Sequence, residues 1–153
     1  MLRISRLTDY ATVLLATLAG EPQRVQTAAA LSVQTGIAAP TVSKLMKQLH
    51  HAGLVTSTRG LHGGYQLARP AAQITFRDII EAVEGPITLN ICTDGSSSCA
   101  LQPSCRMYRV WEKGQRVLLE VFSDTSLSEV ASSKVPDSSL TVGTARSESA
   151  GKP

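Results

Sequence analysis

The chain has 153 residues, 42% hydrophobic and only 4% aromatic, enough to bury the core of one domain plus an extension, built mainly from Leu, Val, Ile and Ala. No apolar run approaches the ~20 residues that span a bilayer, and the opening MLRISRLTDY has neither the apolar stretch nor the cleavage site of a signal peptide, so no membrane-spanning helix and no signal peptide are expected, and a cytoplasmic, reducing setting follows as the default. The net charge of +3 is unevenly spread: the balance is +5 over residues 1–70, −3 over 71–132 and +1 over 133–153, a basic first half of the kind that marks a nucleic-acid-binding module joined to something else.

Residues 7–19, LTDYATVLLATLA, repeat apolar side chains at helical spacing, with Thr8 the expected N-cap and Gly20-Glu21-Pro22 the stop. Residues 27–34 predict a short Ala-rich helix ended by Thr35-Gly36. After a tight connection, Pro40 sits as an N1 proline and a third helix, TVSKLMKQLHHA, runs to Gly53 with Val42, Leu45, Met46 and Leu49 as its buried stripe. Helix, short Gly-containing turn and helix make a helix-turn-helix, whose second helix enters the major groove. The outward face of that helix carries Thr41, Ser43, Lys44, Lys47 and Gln48, short polar or cationic groups suited to base edges and phosphates. The same composition also suits an ordinary solvated helix. His50 and His51 end it, where cations are favoured, and read as helix-capping.

Two strand-like runs follow, Leu54–Thr58 and Tyr65–Leu67, joined through Arg59, Gly60, Leu61, His62, Gly63 and Gly64. A Gly-rich hairpin directly after a helix-turn-helix predicts a winged helix. The glycines let the wing backbone approach DNA, and Arg59 reaches for a phosphate or the minor groove. The wing's candidate DNA contacts are Arg59, His62, Gly63, Gly64 and Tyr65. Thr75 then opens a helix with Asp78 as its capping-box partner, burying Phe76, Ile79, Ile80 and Val83 before Gly85-Pro86.

Residues 86–104 show no periodicity and contain, with Cys105, every cysteine of the chain: Cys92, Cys99 and Cys105, spaced C-x6-C-x5-C. Three clustered thiols in a reducing setting suit a soft metal, an iron–sulfur cluster or redox chemistry rather than a disulfide framework. Structural zinc usually takes paired, closer cysteines, and this spacing lacks them. After Cys105, Met107, Val110, Trp111, Gly114, Val117, Leu118, Val121 and Phe122 recur at three- and four-residue steps. This is a stripe for helix-to-helix packing, read as a dimerisation helix, with packing on its own domain as the other possibility. A short helix with capping-box spacing at Ser126 and Glu129 follows at 126–131, and the Ser-rich residues 133–153 predict a disordered tail. The expected fold is mainly α with a small β-hairpin wing: a winged helix-turn-helix over 1–85, a cysteine segment over 86–104, and a dimerisation helix with a short terminal helix over 105–132. No nucleophile–base pair, phosphate loop or paired acids argue for an enzyme.

The order of MLRISRLTDYATVLL, GLVTSTRGLHGGYQLARP, ITFRDIIEAVEGP and the cysteine triplet resembles the iron–sulfur winged-helix transcriptional regulators of the IscR and NsrR type, over about residues 1–132. LTDYATVLL and PTVSKLMKQL make it most similar to the regulators of the SUF iron–sulfur assembly system. The resemblance implies a homodimer on a double-stranded DNA operator, and a [2Fe–2S] or [4Fe–4S] cluster on Cys92, Cys99 and Cys105. Members with a His ligand carry it three residues after the third Cys, where this chain has Tyr108. Members with an N-terminal Asp ligand match Asp9, which would reach the cluster across the dimer interface. Asp9 also reads as a first-turn acid stabilising its helix. A carrier or assembly factor for such clusters, and a regulator using zinc or direct thiol oxidation, are the other readings.

Overall fold

In the computed structural model, residues 4–60, 63–90 and 104–132 are described. The expected tail over 133–153 lies outside them, as do His62, Cys92 and Cys99. Helix α1 (Arg6–Gly20) starts at Ser5, whose hydroxyl accepts the Leu7 N–H at 3.2 Å. Thr8 is therefore not the cap. It is fully buried, and its hydroxyl donates to Glu84 instead. Ala11, Leu14, Leu15 and Leu18 form the buried stripe of α1.

Thr27 caps α2 (Ala28–Thr35) by accepting the Ala30 N–H at 3.1 Å. Gly36 ends α2 at φ 71°, a left-handed conformation that costs glycine little and turns the chain sharply into α3 (Ala39–His51). Ser32 Oγ braces that turn by donating to the Ile37 carbonyl at 2.6 Å. The buried stripe of α3 is the expected one, Val42, Leu45, Met46 and Leu49.

The wing is an antiparallel hairpin of β1 (Val55–Thr58) and β2 (Gly64–Leu67), with Val55 opposite Leu67 and Thr58 opposite Gly64. A further bridge ties it to the chain before α2: the Gln26 N–H donates to the Tyr65 carbonyl at 2.9 Å, and the Tyr65 N–H to the Gln26 carbonyl at 2.8 Å. This bridge gives the glycines a use that the sequence does not reveal. A Cβ on Gly64 would stand 2.5 Å from the Gln26 carbonyl oxygen, and one on Gly63 would stand 2.4 Å from that of Thr58. Their small size serves packing within the chain. Gly64→Ala is expected to cost about 1–3 kcal/mol through overpacking. An unchanged melting temperature would show that the Gln26 segment yields freely.

Thr75 and Asp78 form the expected capping box of α4 (Phe76–Glu84). The Asp78 carboxylate also accepts Arg69 Nη2 at 2.8 Å. Burial pushes this carboxyl up, but the hydrogen bonds from the Thr75 backbone and hydroxyl and from Arg69 outweigh it, so its pKa is held below the ordinary value. Helix α5 (Tyr108–Asp124) packs on α4, with the Phe76 and Phe122 rings edge to face at 5.5 Å. The chain then turns back. The Phe76 N–H donates to the Thr125 carbonyl at 2.8 Å and the Leu127 N–H to the Ile74 carbonyl at 2.7 Å. Leu127, at the start of α6 (Leu127–Ser132), is fully buried in the same core as Leu14, Leu31, Leu45, Leu49 and Ile79. The result is a mainly helical winged helix-turn-helix in which α6 closes the core and α5 runs alongside α4. Among the described residues no helix is long and apolar enough to cross a membrane.

Candidate nucleic-acid interface and cysteine segment

Opposite the buried stripe of α3, Lys44, Lys47 and His51 are exposed, while Thr41, Ser43 and Gln48 are half-buried. A groove of about 700 Å³ covers this face, with Ser43, Lys44, Lys47 and Gln48 on one wall and Glu81 of α4 on the other. Arg77 Nε bonds the Glu81 carboxylate at 3.0 Å. Lys44 and Lys47 form no ion pair among the described residues, so two cations face outward on the second helix of the motif. Arg59 is exposed directly after β1. Tyr65 is half-buried against the core, and the structure shows its backbone bonded to Gln26. His51 Nδ1 meets the Lys47 carbonyl at 2.7 Å, which fits a capping role. His50 differs: its Nδ1 lies 3.0 Å from the Val55 carbonyl and its Nε2 lies 3.5 Å from Ser57 Oγ. It thereby ties the end of α3 to the first strand of the wing, a contact the sequence does not announce.

Of the cysteines, Cys105 is described; it is half-buried and its thiol is free. Helix α5 starts at Tyr108 rather than at Cys105, after a turn in which the Tyr108 N–H donates to the Cys105 carbonyl at 3.2 Å. The first turn of α5 carries no acid and no side-chain cap, and Arg106 and Arg109 are exposed beside it. Asp9 is exposed in the first turn of α1, where Ser5 performs the capping. Among the described residues no group of three or more His, Cys, Asp or Glu could hold a metal ion. The donors expected from the sequence, three thiols and the Asp9 carboxylate without paired cysteines, would suit an iron–sulfur cluster better than zinc.

The carboxylate of Glu84 links this region to α1. Its Oε1 accepts the Ser5 N–H at 3.0 Å, Ser5 Oγ at 2.5 Å and Thr8 Oγ1 at 2.7 Å. Glu84 ends α4, just ahead of the Gly85-Pro86 step that leads to the cysteines. The Ser5 and Thr8 hydroxyls and the Ser5 N–H hold its pKa below the usual carboxylate value. A folded-state pKa lowered in this way adds stability above the unfolded-state pKa, and that stability is lost as pH falls through the folded-state one. The melting temperature of the parent should fall as the medium is acidified below about pH 5, and Glu84→Gln, less stable at neutral pH, should show a flatter acid limb. Parallel acid limbs would mean that Glu84 gains nothing from its three donors.

The stripe on α5 faces outward. Met107, Val110, Trp111, Val117 and Val121 are 50%, 58%, 38%, 48% and 54% exposed, far more than the scattered apolar residues of an ordinary surface. Leu118 and Gly114 are half-buried, and a groove of about 870 Å³ runs along Val110, Gly114, Val117, Leu118 and Val121 with Leu89 at its edge. Two features depart from the expected stripe. Phe122 turns inward onto Phe76, and Gly114 lies under Leu89 of the same chain, 3.4 Å from where its Cβ would be. Sequence reasoning also missed Gln115, the buried residue of α5.

Residues 4–133 match the Rrf2 family, described as an iron-dependent transcriptional regulator. The structure is similar to CymR, the global cysteine regulator of B. subtilis, at 27% identity over 86% of this chain and 98% of that one, with a TM-score of 0.68. It is similar to IscR of T. potens at 27% identity over 84% and 85% of the two chains, with a TM-score of 0.63. Protein aau3 of Rhizobium meliloti is 25% identical over 134 residues, 87% of each chain.

Proposed function

Because this chain belongs to the Rrf2 family of transcriptional regulators, we propose that it is a cytoplasmic, homodimeric repressor that reads a DNA operator and reports iron–sulfur or redox status, controlling genes for iron–sulfur assembly. The observation that carries the DNA-binding part is the outward pair Lys44 and Lys47 on the second helix of the motif, neither of them ion-paired with a described acid. Thr41, Ser43 and Gln48 flank them as base-reading groups, and Arg59, His62, Gly63, Gly64 and Tyr65 form the wing's contact. Lys47→Ala should weaken binding to all duplexes alike and reduce the slope of log affinity against log salt by about one. An unchanged slope and affinity would remove Lys47 from the interface.

Cys92, Cys99 and Cys105 would hold the cluster, with Asp9 as the fourth ligand, and the group supplies a redox-active centre whose non-cysteine iron position is labile. The residues around it divide the work. Arg106 and Arg109 offset its negative charge. Glu84 holds the α1 turn that carries Asp9 to the end of α4. The stripe on α5 joins the two copies, so that ligation in one region biases the spacing of two reading heads. Anaerobic purification, a visible spectrum, and iron and sulfide assays test this. A brown protein with matched iron and sulfide supports it. A colourless protein that stays so after reconstitution overturns it in favour of direct thiol sensing.

A further inference from the structure

Helix α5 is arranged inside out. Its valines and Trp111 face outward, while the buried residue is a glutamine, Gln115, 9% exposed. Its amide is used at both ends: Nε2 donates to the Ile87 carbonyl at 2.6 Å, and Oε1 accepts the Leu89 N–H at 2.8 Å. Those are consecutive same-side positions of the chain running from Pro86 toward Cys92, and among the described residues no helix or strand pairs with their backbone. Buried backbone groups need hydrogen bonds, and a side chain that both donates and accepts at this reach replaces a missing strand. Leu89 then packs over Gly114, the neighbour of Gln115. The chain is thus fastened three residues ahead of Cys92 to the helix that begins three residues after Cys105.

We propose that Gln115 is the positioning residue of the cysteine segment, fixing its approach to the helix on its far side so that cluster ligation needs less ordering of the chain. The proposal rests on the iron–sulfur reading above. Gln115 bonds no proposed ligand itself, so its removal should act only by lengthening the free approach, a change of about two- to threefold in cluster retention. The physical reason is that an untethered approach adds conformational freedom that ligation must then remove.

The test uses the full-length protein, reconstituted anaerobically with iron and sulfide, in three forms: parent, Gln115→Met and Gln115→Glu. Methionine keeps the volume and removes both hydrogen bonds, while glutamate keeps the acceptor for Leu89. The readouts are the rate at which the visible absorption bleaches under an iron chelator and the exchange rate of the Leu89 amide. Operator affinity of the cluster-free form is the control for an intact reading head. Expected for Gln115→Met are Leu89 exchange accelerated about tenfold or more and bleaching accelerated about two- to threefold, with cluster-free operator affinity unchanged. Gln115→Glu should fall between. Bleaching at the parental rate despite accelerated Leu89 exchange would overturn the proposal. If the parent itself holds no cluster, the iron–sulfur reading fails, and the positioning role is then decided by thiol alkylation. Altered rates at the three cysteines in Gln115→Met support it, and rates identical to the parent's overturn it.

Discussion

Val117→Asp is expected to turn the proposed dimer into a monomer and to abolish operator binding at concentrations where the parent is saturated. Val117 is 48% exposed in the single chain and lies mid-stripe on α5, between Val110 and Val121 along an apolar groove. A carboxylate there would have to be buried against the partner. An unpaired buried charge costs about 3–5 kcal/mol, and a two-fold interface places one from each copy in the same region, so the dimerisation constant should fall by at least about a thousandfold. Because Val117 is half exposed and outside the core, the single chain should keep its helical content. Operator affinity should then collapse, since two linked heads on two half-sites gain from effective concentration what a single head lacks. Sedimentation or light scattering with a duplex-binding titration measures both effects. A dimer of parental strength would send the interface elsewhere and leave the exposed stripe for another partner.

Cys105→Ala is expected to empty the reconstituted protein of iron and sulfide while barely changing its melting temperature. The Cys105 side chain is half-buried and its thiol is in no disulfide, so its truncation should cost less than about 1 kcal/mol of fold stability. As a ligand its loss leaves two thiolates, too few to retain a cluster that normally takes four protein donors. Iron per chain should drop to background, and operator affinity should match that of the cluster-free parent. Parental iron content in Cys105→Ala would take Cys105 out of the ligand set. Parental affinity in both the loaded and the emptied protein would separate cluster binding from DNA control.

The elements legible in the sequence are those decided by near neighbours. The stripe of α3, the Gly36 turn and the Thr75–Asp78 capping box all involve residues within about one turn of each other, so spacing and side-chain chemistry are sufficient to find them. The cationic pair Lys44 and Lys47 was legible for the same reason, because a helix with one face buried must present the opposite one. The cap of α1 was not. Ser5 and Thr8 are equally suited to the task by local rules; in the fold Glu84, 76 residues beyond Thr8, accepts both hydroxyls, and it is the Ser5 oxygen that also accepts the Leu7 N–H. The wing glycines, Phe122 and Gln115 are of the same kind. Gly64 answers to Gln26, Phe122 to Phe76, and Gln115 to two backbone groups on a segment without periodicity.

By itself, then, the sequence determined a winged helix-turn-helix with two lysines outward on its second helix, three thiols close together in the sequence and a long helix with an apolar stripe. Periodicity, capping and charge are short-range properties of the chain. Only the tertiary structure decided which side of α5 is buried, which acid holds the start of α1, and what fastens the approach to the cysteines. Each of those depends on a polar or apolar group meeting a partner that chain return brings close, and nothing in local spacing encodes that meeting.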